Sequence, residues 1–261
     1  MGQWIRACVR TGQQQWALLN GAMLFYTCFP LPRRWPVDFG HIARIVPFVG
    51  LVLGGWLAGL DALFSLAVPL SLRSAVVVLV GLWLTGGLHL DGAMDTADGL
   101  AVQDSQRRLE VMADSCSGAF GVMVAIAILL LKILALATIT QGRWFALLAA
   151  AAWGRWGQQW AIGCYPYLKP TGKGAFHKQA MPSFWYALPW SIGLSGLTML
   201  AAAGGWLPWS MSVAATAMGI SSAVVISGWL NHRLGGHTGD TYGAVVEWVE
   251  VAVLVGLACV S

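Results

Sequence analysis

Long apolar stretches alternate with short polar ones along almost the whole chain. A helix that crosses a bilayer needs about 20 mostly apolar residues, and seven stretches of the chain approach that length and composition. The predicted spans are residues 45–68, 72–94, 119–140, 143–163, 184–203, 209–230 and 243–260. The pattern therefore predicts an all-α fold, a polytopic integral membrane helix bundle with about seven spanning helices.

The first apolar stretch, residues 14–30, differs from the others. Its apolar core is short, it contains Asn20, and it ends in Cys28-Phe-Pro-Leu-Pro32. Short apolar segments often lie in the membrane interface or re-enter it. We expect a short re-entrant or interfacial segment here, with a full span as the alternative.

Composition supports a membrane protein and excludes other classes. Of the 261 residues 57% are hydrophobic and 10% are charged, whereas soluble domains carry roughly 25% charged residues. The net charge of +4 is small and dispersed, so we expect the lipid bilayer and no nucleic acid as partner. No repeat or long linker divides the chain, which predicts one domain over residues 1–261.

The loops between the predicted spans differ in charge. Arginines and lysines concentrate near residues 33–44, 107–108, 169–178 and 233, and the connections at 71–74, 141–143 and 204–210 are short and carry few charges. Cytoplasmic loops of membrane proteins carry an excess of Lys and Arg. We therefore expect the basic loops, and any site that they flank, to face the cytoplasm.

The strongest chemical signal is Gly87-Leu-His-Leu-Asp-Gly-Ala-Met-Asp-Thr-Ala-Asp-Gly99, which closes an apolar run. The spacing i, i+4, i+7 puts Asp91, Asp95 and Asp98 on one helical face. Three like charges so close need a cation, and oxygen-only ligands suit Mg²⁺ shared with substrate phosphates. We predict all three as Mg²⁺ ligands; the alternative is a set of solvated acids at a loop.

A second acidic group follows the Gly-rich segment 235–243. Asp240, Glu247 and Glu250 again share one helical face by their spacing. The favourable dipole of a helix N-terminus explains Asp240, but it explains the two glutamates poorly because they lie further into an apolar helix. We predict that Asp240 and Glu247 bind or support the metal.

Several basic residues are candidates for phosphate contact. Arg107 and Arg108 follow the aspartate motif, although an ordinary basic loop accounts for them equally well. Arg155 lies inside an apolar segment and needs an anionic partner, either an aspartate of the cluster or a substrate phosphate. In the basic loop 165–178, the backbone of 171–174 is a further phosphate candidate, with a flexible loop as the alternative.

Two histidines are candidates for substrate contact. His89 precedes Asp91 by two positions and so points to another helical face. A packed hydrogen-bonding residue is the alternative for it. His237 lies in a polar Gly-rich segment and is the better candidate for a substrate contact.

The chain closely resembles the cobalamin synthase family, the adenosylcobinamide-GDP ribazoletransferases, whose pattern H-L-D-G-x-x-D-T-x-D-G matches residues 89–99. Further matches are Phe29-Pro-Leu-Pro32, Arg108-Leu-Glu-Val-Met-Ala-Asp-Ser115, Gly118-Ala-Phe-Gly121 and Gly235-Gly-His-Thr-Gly-Asp-Thr-Tyr-Gly-Ala244 with Glu247 downstream. Met94 departs from the commoner small residue, at a position that is not a ligand.

This resemblance implies a reaction and a location. The alcohol of α-ribazole, or of its 5′-phosphate, would attack the phosphate of adenosylcobinamide-GDP that bears the aminopropanol arm, and GMP would leave. Mg²⁺ and the prokaryotic cytoplasmic (inner) membrane are implied with it. Asp91, Asp95 and Asp98 would hold Mg²⁺ against the pyrophosphate, or one of them, Asp98 as our choice, would accept the proton of the attacking hydroxyl. The oligomeric state stays open, including a homo-oligomer.

Two other classes use acids within membrane helices. CDP-alcohol phosphotransferases and prenyltransferases also space aspartates on helices, but the first type carries an arginine after its D-G-x-x-A run where this chain has Asp95-Thr96. A cation- or proton-coupled transporter would carry acids near the bilayer midplane, often in repeated halves. The acids here are expected to gather at one membrane face, and no repeat is visible, which disfavours transport.

Overall fold

The computed structural model describes residues 2–169, 172 and 174–261, with side chains from residue 12 onward. These residues form a helical bundle, with an isolated β-bridge between Tyr167 and His237. The helices are α1 Gly2–Tyr26, α2 Val46–Phe64, α3 Leu70–Leu84, α4 Leu88–Ala101, α5 Arg108–Val111, α6 Ala119–Thr138, α7 Arg143–Cys164, α8 Ala175–Ala180, α9 Leu188–Ala203, α10 Trp209–Leu234 and α11 Gly239–Ala258. The all-α membrane bundle predicted from the sequence is confirmed.

Among the described residues, five helices are long and apolar enough to cross a membrane, and a bent pair makes a sixth candidate. The five are Ile42–Phe64, which begins with a 3₁₀ turn, Ala119–Thr138, Phe184–Ala203, Trp209–Leu234 and Gly239–Ala258. They correspond to five of the seven predicted spans. The other two predictions, 72–94 and 143–163, fall on α3 with α4 and on α7.

The predicted span 72–94 is not one straight helix, because the chain bends by 88° between α3 and α4, as in a broken span or a re-entrant loop. The Thr85 hydroxyl donates to the carbonyl oxygens of Gly81 and Leu82, at 3.3 and 3.0 Å, which closes the last turn of α3. Gly86 and Gly87 then adopt φ values of 60° and 71°, which glycine tolerates without steric cost. The aspartates therefore lie on a separate helix that begins at Leu88.

Helix α7 lies at the centre of the bundle. It is 22 residues long and is buried along almost its whole length. A helix surrounded by protein needs no apolar surface for lipid, so α7 can carry Arg155 and two glutamines and still run through the bundle. It packs closely on α2, since a Cβ at Gly54 would lie 2.6 Å from the Cα atom of Leu148.

The segment predicted at residues 14–30 is the C-terminal part of a longer helix than expected. Helix α1 runs over 25 residues from Gly2 to Tyr26, and it is not among the helices apolar enough to span. Asn20, which set this segment apart, is buried and donates to the carbonyl oxygen of Pro36 at 3.0 Å. The Cys28 backbone N–H donates to the carbonyl oxygen of Leu84 at 2.7 Å, which ties this end of α1 to α3.

An ion cluster that was not predicted from the sequence joins α2, α3 and α7. Asp61 is 5% exposed and accepts from Arg143 through both carboxylate oxygens, at 2.6 and 2.9 Å. Arg73 lies 3.2 Å from the same carboxylate, and Ser74 accepts from Arg143 at 3.1 Å. Asp61 is near the end of α2 and Arg143 begins α7, so this cluster fixes one end of the helix packing.

Candidate active site

Helices α4 and α11 cross at two glycines, and this crossing brings the two acidic segments together. A Cβ at Gly92 would lie 2.6 Å from the carbonyl oxygen of Asp240, and a Cβ at Gly243 would lie 2.8 Å from that of His89. Only glycine allows backbones to approach so closely. The predicted proximity of the first aspartate group to Asp240 is therefore present in the fold.

Asp95 lies among the other carboxylates of this end of the bundle. The charges of Asp91, Asp240 and Asp98 all act on it, opposed by the charge of Lys169. Lys169 also approaches Asp240, with 3.5 Å between Nζ and Oδ2. We call the surface formed by Asp91, Asp95 and Asp240 the aspartate site, and the end of the bundle that carries it the aspartate end. The acids outnumber the lysine, so the site favours a cation.

The aspartate site fits Mg²⁺ by the chemistry of its donors. Within the described part of the chain, no three His, Cys, Asp or Glu side chains form a cage that could hold a metal ion. Mg²⁺ usually takes one or two carboxylates and completes its shell with waters and substrate phosphates, so it does not need such a cage. Asp91 is exposed and Asp95 half-buried, and neither accepts a hydrogen bond from the described residues.

Asp98 has a different environment from the other two aspartates of its motif. Its two carboxylate oxygens accept hydrogen bonds from the backbone N–H groups of Gly118 and Gly121, both at 2.8 Å. These N–H groups belong to the start of α6, where a carboxylate is favoured by unpaired donors and by the helix dipole. Asp98 therefore ties α4 to α6 in this structure, and its action as ligand or base stays a prediction.

Glu247 and Glu250 lie away from the aspartate site. Lys132 of α6 contacts both, with Nζ 2.6 Å from Glu247 and 2.5 Å from Glu250. Arg155 of α7 pairs with Glu250. Lys132 is not among the residues predicted from the sequence, although a single lysine within a 20-residue apolar helix is a usable signal. We call these four residues the buried ion network.

The buried ion network changes two expectations. Arg155 finds its anionic partner in Glu250, which neither alternative for it had named. The acids do not all gather at one membrane face, since two of them lie deep in α11; however, Lys132 and Arg155 balance their charges. The network lines a small cavity of about 70 Å³ next to Thr85, at the bend between α3 and α4. A metal role for Glu247 stays a prediction.

The two histidines are both buried. His89 is 2% exposed, stacks on Tyr26 with 6.2 Å between ring centroids, and leaves both ring nitrogens without a partner among the described residues. His237 is fully buried, with Nδ1 3.0 Å from the Thr241 hydroxyl and Nε2 3.1 Å from the carbonyl oxygen of Ser227. Burial lowers the pKa of His237 to about 4, so its ring is neutral. Because both rings are buried, neither is exposed at the aspartate site. Their substrate contacts stay predictions.

His237 shapes the start of α11. Its backbone N–H donates to Pro166 at 2.9 Å, and its carbonyl oxygen accepts from Leu168 at 2.8 Å. Next to it, Thr238 and Thr241 form a capping box, and the Thr238 hydroxyl donates to Asp240 at 3.1 Å. These contacts hold the loop that carries Lys169 beside Asp240.

The two arginines predicted to bind phosphate differ in their exposure and in their hydrogen bonds. Arg107 is exposed. Arg108 donates to the carbonyl oxygens of Val102 and Arg233, at 3.1 and 2.9 Å, and so fastens its loop to the end of α10. The phosphate candidate at 171–174 includes Thr171 and Lys173, which lie outside the described residues.

The fold and the site define a polytopic helical membrane protein with a carboxylate-rich site at one end of its bundle. The chain belongs to the cobalamin-5-phosphate synthase family, which it matches over residues 18–258. No solved structure matches it.

Named relatives agree with this family. The chain is 54% identical to an adenosylcobinamide-GDP ribazoletransferase of Trichormus variabilis, over 91% of this chain and 95% of the relative. It is 49% identical to the protein of that name from Synechococcus elongatus, over 93% and 96%. A Prochlorococcus marinus protein of that name is 40% identical, over 92% and 94%. The resemblance noted from the motifs is therefore confirmed, and the chain is a transferase of cobalamin synthesis.

Proposed function

We propose that this protein joins adenosylcobinamide-GDP to α-ribazole, or to α-ribazole 5′-phosphate, and releases GMP. Similarity to ribazoletransferases over more than nine tenths of the chain supports this activity. The observation that carries the proposal is the α4–α11 crossing, which sets Asp91 and Asp95 of the family motif beside Asp240 of the second motif. Carboxylates so grouped suit a reaction between phosphates that needs a divalent cation.

The chemistry is a phosphoryl substitution. The ribazole hydroxyl oxygen forms a bond to the phosphorus that carries the aminopropanol arm, the bond from that phosphorus to the bridging oxygen breaks, and GMP leaves with the electron pair. Mg²⁺ bound at the aspartate site would neutralise the pyrophosphate and the charge that develops on the leaving oxygen. Asp91 and Asp240 would hold it, and Lys169 beside Asp240 would contact a phosphate oxygen.

The proton of the attacking hydroxyl needs an acceptor in the same place. The sequence favours Asp98 as this acceptor, yet both of its carboxylate oxygens accept hydrogen bonds from backbone N–H groups. Asp95 is half-buried, is free of hydrogen bonds from the described residues, and lies on the same helical face. We therefore assign proton acceptance to Asp95 and orientation of α4 against α6 to Asp98.

GMP release by the purified protein tests this proposal. With adenosylcobinamide-GDP, α-ribazole and Mg²⁺, the wild-type protein should release GMP, and omission of Mg²⁺ or addition of a chelator should stop it. Asp95→Asn should lower the rate by about a hundredfold or more, as expected for loss of a general base. Asp104→Asn, at an exposed loop carboxylate, is the matched control and should leave the rate unchanged. Absence of GMP under conditions where a family member is active would refute the assignment.

The proposed location is the prokaryotic cytoplasmic membrane, with the aspartate end on the cytoplasmic side. The basic positions Arg107 and Arg233 at this end support that orientation through the excess of positive charge in cytoplasmic loops. Two exposed cysteines provide the test, because Cys116 lies in the loop before α6 and Cys259 follows α11 at the opposite end. In single-cysteine variants, an impermeant maleimide should label Cys116 only in inverted vesicles and Cys259 only in intact spheroplasts. The reverse pattern would overturn the orientation.

A further inference from the structure

An open groove of about 410 Å³ runs along the outside of the bundle, on the back of the catalytic helix α4. Phe120 and Val124 of α6 form one wall, and Trp229 of α10 forms the other. Its floor includes Leu100 of α4 and Trp248 of α11. Leu100 lies on the face of α4 opposite Asp91 and Asp95, so the groove is separate from the aspartate site.

The groove opens towards the bilayer. The helices on either side of it, α6 and α10, are both long and apolar enough to span. Their outward side chains are exposed and apolar, with Ile126 54% exposed and Val225 66% exposed. Exposed apolar rows on spanning helices face acyl chains, so lipid has direct access to the groove.

One end of the groove is basic. Arg233, in the last turn of α10, lines the groove at the aspartate end. The hydrogen bond from Arg108 to the Arg233 carbonyl oxygen brings a second guanidinium to the same place. Among the described residues, neither arginine has a carboxylate within ion-pair distance. Basic pockets between membrane helices, close to the bilayer surface, suit lipid phosphates.

We propose that this groove binds one anionic phospholipid, with an acyl chain between α6 and α10 and the phosphate at Arg233 and Arg108. The apolar walls match the chain, and two arginines without a carboxylate partner match a negative headgroup. The lipid would pack against the back of α4, the helix whose other face carries Asp91 and Asp95. Lipid binding is measured without substrate, so its result does not depend on the proposed reaction.

The test uses the full-length protein in detergent, titrated with phosphatidylglycerol or phosphatidylcholine and read by native mass spectrometry. Phosphatidylglycerol should bind at one saturable site, more tightly than phosphatidylcholine. Arg233→Gln and Arg108→Gln should each weaken it about fivefold, as expected for one basic contact with a lipid headgroup. Arg233→Lys keeps the charge and should retain most of the binding. Arg34→Gln, in an exposed loop, is the matched control and should have no effect.

A second pair of variants tests the acyl-chain part of the groove. Val124→Trp fills it and should remove the saturable binding, whereas Leu130→Trp, on the exposed face of α6 outside the groove, should not. A melting temperature within a few degrees of wild type shows that each variant is folded. If both lipids bind equally well and the arginine substitutions do not weaken binding, the groove makes only non-specific lipid contacts and the proposal is overturned. If the wild-type protein is a dimer and Val124→Trp dissociates it, the groove binds a second copy of the chain. This result would also overturn the lipid proposal.

Discussion

Lys132→Met is the sharpest test of the buried ion network. The lysine is 8% exposed and contacts both glutamates of α11 within 2.6 Å. Its removal leaves Glu250 with Arg155, but it leaves Glu247, which is 7% exposed, without a charge partner. Loss of one partner from a buried ion pair costs about 3–5 kcal/mol, because the other charge stays buried and uncompensated.

A second substitution separates the unpaired charge from the loss of packing. In Lys132→Met with Glu247→Gln, no uncompensated carboxylate remains at that position, so about half or more of the lost stability should return. Arg34→Met removes a basic side chain from an exposed loop and should stay within about 0.5 kcal/mol of wild type.

Thermal unfolding in detergent, followed by circular dichroism, measures these differences. Lys132→Met should lower the melting temperature by about 10 °C, and the double variant should recover several degrees. A Lys132→Met protein as stable as wild type, or a double variant less stable than the single one, would refute the description of this network as a paired, buried set of charges.

Three further predictions concern the aspartate end. Gly92→Ala places a Cβ 2.6 Å from the Asp240 carbonyl oxygen, so it should cost about 1–3 kcal/mol and most of the GMP release, whereas Gly59→Ala, with open space around it, should do neither. Asp98→Ala removes the cap of α6 and should lower the unfolding free energy by about 1–2 kcal/mol; unchanged stability would contradict the capping role. Because burial lowers the pKa of His237 from 6.5 to about 4, the unfolded chain binds the proton first, and unfolding measured against pH should show stability falling as pH drops from about 6.5 towards 4. A His237→Gln protein with the same slope would contradict this.

Much of the fold could be predicted because spanning helices have a strong signal in sequence. Each needs a long apolar run, and five predicted runs became five helices of spanning length. The bend after Thr85 was harder to predict, because Gly86 and Gly87 also suit close helix packing. Nothing in the apolar run itself shows that the backbone turns by 88°.

The sequence predicted which residue types form the site, but it predicted their contacts only in part. The spacing of Asp91, Asp95 and Asp98 placed them on one face, yet it did not show that Asp98 would meet the start of α6, twenty residues further on. The local pattern around Glu247 could not show its contact with Lys132, which is 115 residues away in sequence. Partners so distant in the chain are set by helix packing, which the local pattern does not contain.

In the proposed reaction, a ribazole hydroxyl attacks the phosphate that carries the corrinoid arm. Adenosylcobinamide-GDP labelled with ³²P at that phosphate alone tests it most directly, with the purified protein, α-ribazole and Mg²⁺. The label should appear in the cobalamin product, and the released GMP should be unlabelled. Label in the released nucleotide, or nucleotide release without a labelled cobalamin product, would contradict it.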